Sequence, residues 1–214
     1  MATNQVASPA DLWALTHEQR EKVGDMLATL NDAEWETPSL CAGWRVRDVV
    51  AHMVETHQMT PPRFMGRFIG AGFNFDRFSA KDVGRHATQS TADLLQEFRD
   101  SAPRSTAPPG PKQTWLAEAV IHGEDAARPT GRTVAVSPQA LVTVAEYARR
   151  TSPLLHGKQR SDGLRLRATD VDWAAGDGPE VSGPALSLIL AITGRKVALA
   201  DLSGEGLETL RPRL

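Results

Sequence analysis

The sequence holds one cysteine, Cys41, in 214 residues. An intrachain disulfide is therefore impossible, which excludes the small stapled folds of oxidising compartments and fits a reducing one. Neither sign of charge is in excess: 24 Lys and Arg face 26 Asp and Glu, a net charge of -2. Nothing in that balance favours nucleic acid or an anionic membrane as partner. No run approaches the roughly 18 apolar residues that a membrane span requires. The opening residues 1–8 are polar and lack the apolar core of a signal peptide, so a cytoplasmic location is expected. What is present is an ordinary globular mix, 41% hydrophobic and 23% charged. The length suffices for one large domain or two modest ones.

The first half reads as helices. Ser8-Pro9-Ala10-Asp11 is a helix start, and Leu12, Leu15, Val23, Met26, Leu27 and Leu30 follow at helical spacing. Turn formers from Thr37 to Trp44 interrupt it. A second helix is expected from about Arg45, with Val46, Val49, Val50, Met53 and Val54 as its apolar stripe, ended by Pro61-Pro62. Residues 63–87 show no clean period and read as a loop or short helix. A third helix follows a cap at Ser90–Asp93. A linker with four prolines spans 101–113, and a fourth helix runs from about Thr114 to Ala127. Helices of this number and length predict an antiparallel bundle over residues 1–133.

The second half, residues 134–214, reads as a small α/β domain. A helix is expected from Pro138 to Arg150. Leu164–Thr169 alternates apolar and basic residues as a half-buried strand does. Asp170–Gly183 fits a hairpin and an edge strand, Pro184–Thr193 an apolar helix, and Leu207–Leu210 a last short helix.

Glu118 and His122 stand four apart on the fourth helix and so leave the same face. A carboxylate and an imidazole so placed can share an ion if another helix supplies a third ligand. His52 on the second helix is the candidate, and three protein ligands leave a position open for chemistry. Other readings stand beside this one. A Glu-x-x-x-His pair is common on solvated helix surfaces. His52 lies off the centre of the valine stripe, whereas His57 falls inside it as a hydrogen-bonded core residue would. Asp48, one turn before His52, is placed to orient that imidazole, and Glu124 and Asp125 read as surface acids. Cys41 reads as a small buried turn residue, with a nucleophile as the alternative. Phe64, Phe68, Phe73, Phe75 and Phe78, with Arg63, Arg67 and Arg77, read as packing or as the lining of a polar pocket.

Three blocks carry a resemblance. Glu34-Trp35 through Leu40-Cys41-Ala42-Gly43-Trp44-Arg45-Val46-Arg47-Asp48-Val49-Val50-Ala51-His52 is similar to the N-terminal motif of the mycothiol-dependent maleylpyruvate isomerase family, part of the DinB-like metalloproteins. Glu118-Ala119-Val120-Ile121-His122-Gly123-Glu124-Asp125 resembles its second motif. Leu166–Trp173, Gly183–Ala185 and Thr193-Gly194-Arg195 resemble its C-terminal domain.

The resemblance implies an α+β fold: a DinB-like antiparallel four-helix bundle with a smaller C-terminal α/β domain. It implies a divalent metal, usually zinc, on His52, Glu118 and His122, mycothiol as thiol cofactor, and Arg195 as a catalytic arginine. A thiol is a poor nucleophile until deprotonated, and coordination to zinc deprotonates it. The expected activity is addition of the thiol to an electrophilic small molecule, by an isomerase or an S-transferase, in a monomer or homodimer. The alternatives are a non-catalytic binding or regulatory protein that keeps the metal, and a structural bundle without one.

Overall fold

Short polar side chains close the helix starts that the sequence announces. Ser90 accepts from the Asp93 N–H and Ser137 from the Ala140 N–H, while Asn31 and Glu34 form a reciprocal box. The computed structural model describes residues 5–107, 110–152 and 155–214, with Asp76 described in its backbone only. The fold is α+β, mostly helical with one three-stranded sheet. The chain groups into two compact units, Leu12–Ala135 and the pair Met1–Asp11 with Val136–Leu214. The expected 101–113 linker includes positions 108 and 109, and the polar opening segment includes positions 1–4. Those positions lie outside the described residues.

The unit Leu12–Ala135 contains α1 (Leu12–Leu27), α2 (Asp32–Trp35), α3 (Val46–His57), α4 (Pro61–Gly70), α5 (Phe75–Arg85), α6 (Thr91–Ser101) and α7 (Gln113–Ala127). Helix α1 packs along α7 and α6, and α3 packs against α6 and α7. Val23, Leu27, Val49, Met53, Leu94 and Phe98 meet in its core. Each such side chain contributes about 1.5–3 kcal/mol by leaving water. Gly123 permits the approach of α1 to α7, since a Cβ there would stand 2.7 Å from Val23 Cγ2.

Two expectations need correction. The second helix ends at His57, and Pro61 and Pro62 instead open α4 at its first positions. A proline there loses no hydrogen bond, because the first N–H groups of a helix have no partner inside it. Residues 63–87 are not a loop or a short helix but mostly two helices, α4 and α5. Their period is masked because α4 buries no residue fully and turns Met65 and Ile69 to solvent. The phenylalanines pack on one another: Phe68 stacks on Phe64 at 5.4 Å and meets Phe75 at 4.6 Å. Arg63 and Arg67 are engaged by the buried carboxylate of Glu55, and Arg67 and Arg85 by that of Asp82.

The other unit contains α8 (Pro138–Arg150), α9 (Gly157–Ser161), β1 (Arg165–Ala168), β2 (Ala174–Ala175), β3 (Glu180–Gly183), α10 (Ala185–Ile192) and α11 (Leu207–Leu210). Strand β1 is central, antiparallel to β2 and parallel to β3, with Leu166 opposite both Ala175 and Val181. Its alternating burial, with Leu166 and Ala168 inward, is the pattern that the sequence shows. The apolar helix α10 packs on α8, β1 and β3. Near the chain's start, the Ala7 N–H donates to Thr143 Oγ1 at 2.8 Å. No described helix is long and apolar enough to cross a membrane.

Candidate metal centre

The turn formers between α2 and α3 fold into a tight loop. Ser39 Oγ accepts from the Cys41 N–H, and Pro38 bridges Arg45. The Leu40 N–H donates to the Asp125 carbonyl at 3.2 Å, fastening the loop to α7. The loop delivers Cys41 to α7, and α3 delivers His52.

His52 and His122 face each other edge to face, their ring centres 5.2 Å apart, with Trp44 covering His52 at 5.3 Å. His52 Nδ1 is sealed from solvent without a hydrogen-bond partner. Burial, aided by the charge of His122, lowers the His52 pKa to about 3, so this ring stays neutral. Glu118, one turn before His122, is 9% exposed, and both its carboxylate oxygens are buried with no partner. Burial raises its pKa, against the pull of Arg20 and His122. A buried carboxylate with both oxygens unengaged is costly unless a cation or proton completes it. The donor chemistry of Glu118, His52 and His122 therefore fits a divalent ion.

His122 is held from behind. Its Nδ1 donates to Asp125 Oδ2 at 2.9 Å, and the Cys41 S–H donates to the same oxygen at 3.1 Å. Burial pulls His122 down, but Asp125 and the Cys41 thiol outweigh it and bring its pKa up to about 10. A carboxylate on Nδ1 fixes the ring and leaves Nε2 as the nitrogen that could meet an ion. Among the described residues, the donors gathered within 4.8 Å of one another are Cys41, His122 and Asp125. His52 and Glu118 lie outside that group.

Other expectations resolve differently. Asp48 does not orient His52. It accepts from the backbone N–H of Arg45 and pairs with the Arg45 guanidinium at the start of α3. The surface reading of Asp125 and Glu124 is overturned: Asp125 has no exposed area and Glu124 only 5%. His57 is the expected core histidine, fully buried and bonded through Nδ1 to Ser101 Oγ at 3.0 Å. Arg195 belongs to the other compact unit, where its Nη1 donates to the Thr193 carbonyl at 2.8 Å. The sequence reading passed over Gln19 and Arg20, both buried in α1. The available signal was spacing, since Thr16, Arg20, Val23 and Leu27 form one helical stripe with an arginine inside it.

The fold has solved counterparts. A crystal structure of the mycothiol-dependent maleylpyruvate isomerase superposes with a TM-score of 0.65 at 17% identity, covering 96% of each chain. Its histidine-to-alanine mutant gives the same score and coverage at 16% identity. No curated protein matches the chain. The family model described as the mycothiol maleylpyruvate isomerase N-terminal domain matches residues 16–136. That match spans more than half of the sequence, so the chain belongs to the mycothiol maleylpyruvate isomerase N-terminal domain family.

Proposed function

We propose that this protein is a metal-dependent enzyme that activates a low-molecular-weight thiol, mycothiol, for addition to an electrophilic small molecule. The outcome is isomerisation of the maleylpyruvate type or thiol S-transfer. In this reading α1, α3, α6 and α7 make a DinB-like antiparallel four-helix bundle, and His52, Glu118 and His122 hold the ion, zinc by preference. The observation that carries the reading is Glu118, whose two buried oxygens have no partner one helical turn from His122.

When bound, a divalent ion would lower the pKa of a thiol placed at its open position. The chain's own groups then have separate tasks. Glu118 supplies the anionic ligand, and the charge of an ion would offset the cost of burying that carboxylate ionised. Asp125 holds the Nδ1 proton of His122, which turns Nε2 to the site, where a bound ion would take the place of the second proton. Trp44 shields one side of His52 from water. Arg195 enters as the catalytic arginine on the match of Thr193-Gly194-Arg195 to the family's element, and a cytoplasmic location follows from the same reading.

Metal content and thiol dependence test the proposal. One divalent ion per chain, lost in His52→Ala and His122→Ala and retained in Cys41→Ser, is the expected result. A second reading, an ion on Cys41, His122 and Asp125, is favoured by the convergence of those three donors. It predicts the reverse for Cys41→Ser and His52→Ala. Consumption of an electrophile such as maleylpyruvate only when mycothiol is present supports the enzyme. No turnover with any thiol refutes it and leaves a non-catalytic metal-binding protein.

A further inference from the structure

Helix α4 is amphipathic in reverse. An ordinary surface helix turns its charges to water and its apolar residues to the core. In α4 the arginines, Arg63 and Arg67, stand four apart and turn inward, where the buried carboxylates of Glu55 and Asp82 engage them. Met65 and Ile69 also stand four apart, about 200° round the helix from those arginines. They are 51% and 55% exposed. The buried carboxylates hold the charged side down, so the apolar side faces out.

The chain beyond α4 extends that face. Phe73 is 66% exposed and Phe75 44%. Both rings lean on Phe68, at 5.5 and 4.6 Å, which joins them to the helix. Phe73 adopts a φ of 58°, a left-handed backbone that a bulky residue rarely takes. Such strain collects at binding and functional positions. Here it accompanies an aromatic ring held mostly in water.

Area and charge select the occupant. Met65, Ile69, Phe73 and Phe75 together leave about 400 Å² of apolar surface open, as much as the largest patch on a typical monomer. Two copies joined on this face would cover about 800 Å² of apolar surface, and at an apolar share of about 57% that is an interface of about 1,400 Å². Stable specific pairs bury about 1,200–2,000 Å². A lipid surface fits less well, because cations that would meet anionic headgroups are engaged: Arg63, Arg67 and Arg85 by Glu55 and Asp82, and Lys81 by the Gly70 carbonyl. We infer that two copies of this chain associate through an isologous interface made by Met65 and Ile69 of α4 with Phe73 and Phe75. Two-fold pairing covers the same patch on both copies and closes, so no apolar face remains to build a longer array. None of these residues belongs to the candidate metal centre, so the inference stands apart from the proposed function.

Sedimentation of the full chain over a concentration series tests it. The mass is expected to rise from 23.2 kDa toward twice that value. Ile69→Glu sets a carboxylate in the contact on both copies and is expected to weaken association at least about hundredfold. The Ile69 side chain is exposed in the single copy, so the helix is expected to persist, and far-UV circular dichroism checks that it does. Val197→Glu, at an exposed apolar residue of the other unit, is the control and should leave the dimer intact. In the wild-type protein the methyl resonances of Met65 and Ile69 are expected to shift on dilution while those of Val197 stay still, a readout that needs no variant to fold. A mass of one chain at every concentration up to millimolar overturns the inference. So does a dimer that survives Ile69→Glu at full strength. Binding of a monomeric wild type to phosphatidylglycerol vesicles, lost in Ile69→Glu, overturns it as well, because a lipid surface would then be the occupant.

Discussion

Asp125→Asn is the substitution with the most to report about this site. The carboxylate is fully buried and accepts from both His122 Nδ1 and the Cys41 thiol. With its pKa near 10, His122 is charged at pH 7 in the metal-free protein. The folded pKa lies above the ordinary value of 6.5. The resulting stabilisation is therefore complete below pH 6.5 and lost as pH rises through 10. At pH 7 it amounts to at most about 4 kcal/mol. The His122 side chain is 20% exposed, and solvent screening brings the expected loss to about 2–4 kcal/mol. That lowers the melting point of metal-stripped Asp125→Asn by roughly 5–15 °C. Thermal scans of both proteins from pH 6 to 10 measure it, and the curves should converge at the alkaline end. A variant that melts with the wild type at pH 7, or a deficit constant across that range, refutes the reasoning. With metal present, the same variant is expected to bind the ion about 10–100-fold more weakly.

Gly123→Ala is expected to cost about 1–3 kcal/mol, because the new methyl meets Val23 at 2.7 Å between α1 and α7. Gly66→Ala in α4, where an added Cβ meets nothing within 4 Å, is its control and should stabilise by about 0.4–1 kcal/mol in the same denaturant titration. On the acid side, burial depresses both His52 and His57, so the unfolded chain binds protons first. Stability of the metal-free protein should fall as pH drops from 6.5 toward 3, and His57→Gln should flatten that slope in a pH series of urea titrations.

Elements whose apolar period is read on one face were legible in the sequence. The stripe of α3 and the alternation of β1 each report a single buried side, and the described strand and helices follow them. Helices α4 and α5 were not legible, because their aromatic residues bury against one another rather than along one core-facing stripe. Pro61 misled for a related reason: a proline is as much a helix opener as a stop, and sequence alone does not say which. At the site, the Glu118–His122 spacing was visible within one helix. The contact of Cys41 with Asp125 joins residues 84 apart and needs the loop's attachment to α7. The burial of Arg20 was likewise invisible to a reading that assigns arginine to solvent, although its place in the apolar stripe of α1 was in plain view.

The hydrogen bond from Ala7 to Thr143 carries a consequence for how this chain is made. Residues up to Asp11 are made before the helical unit, yet they belong with a partner segment that begins at Val136. During synthesis the helical unit can close on itself while that leading stretch waits unsatisfied. The second unit is then completed by capturing a strand of chain made more than a hundred residues earlier. Ala7 and Thr143 are 136 residues apart, a separation that makes this step the slow one in refolding.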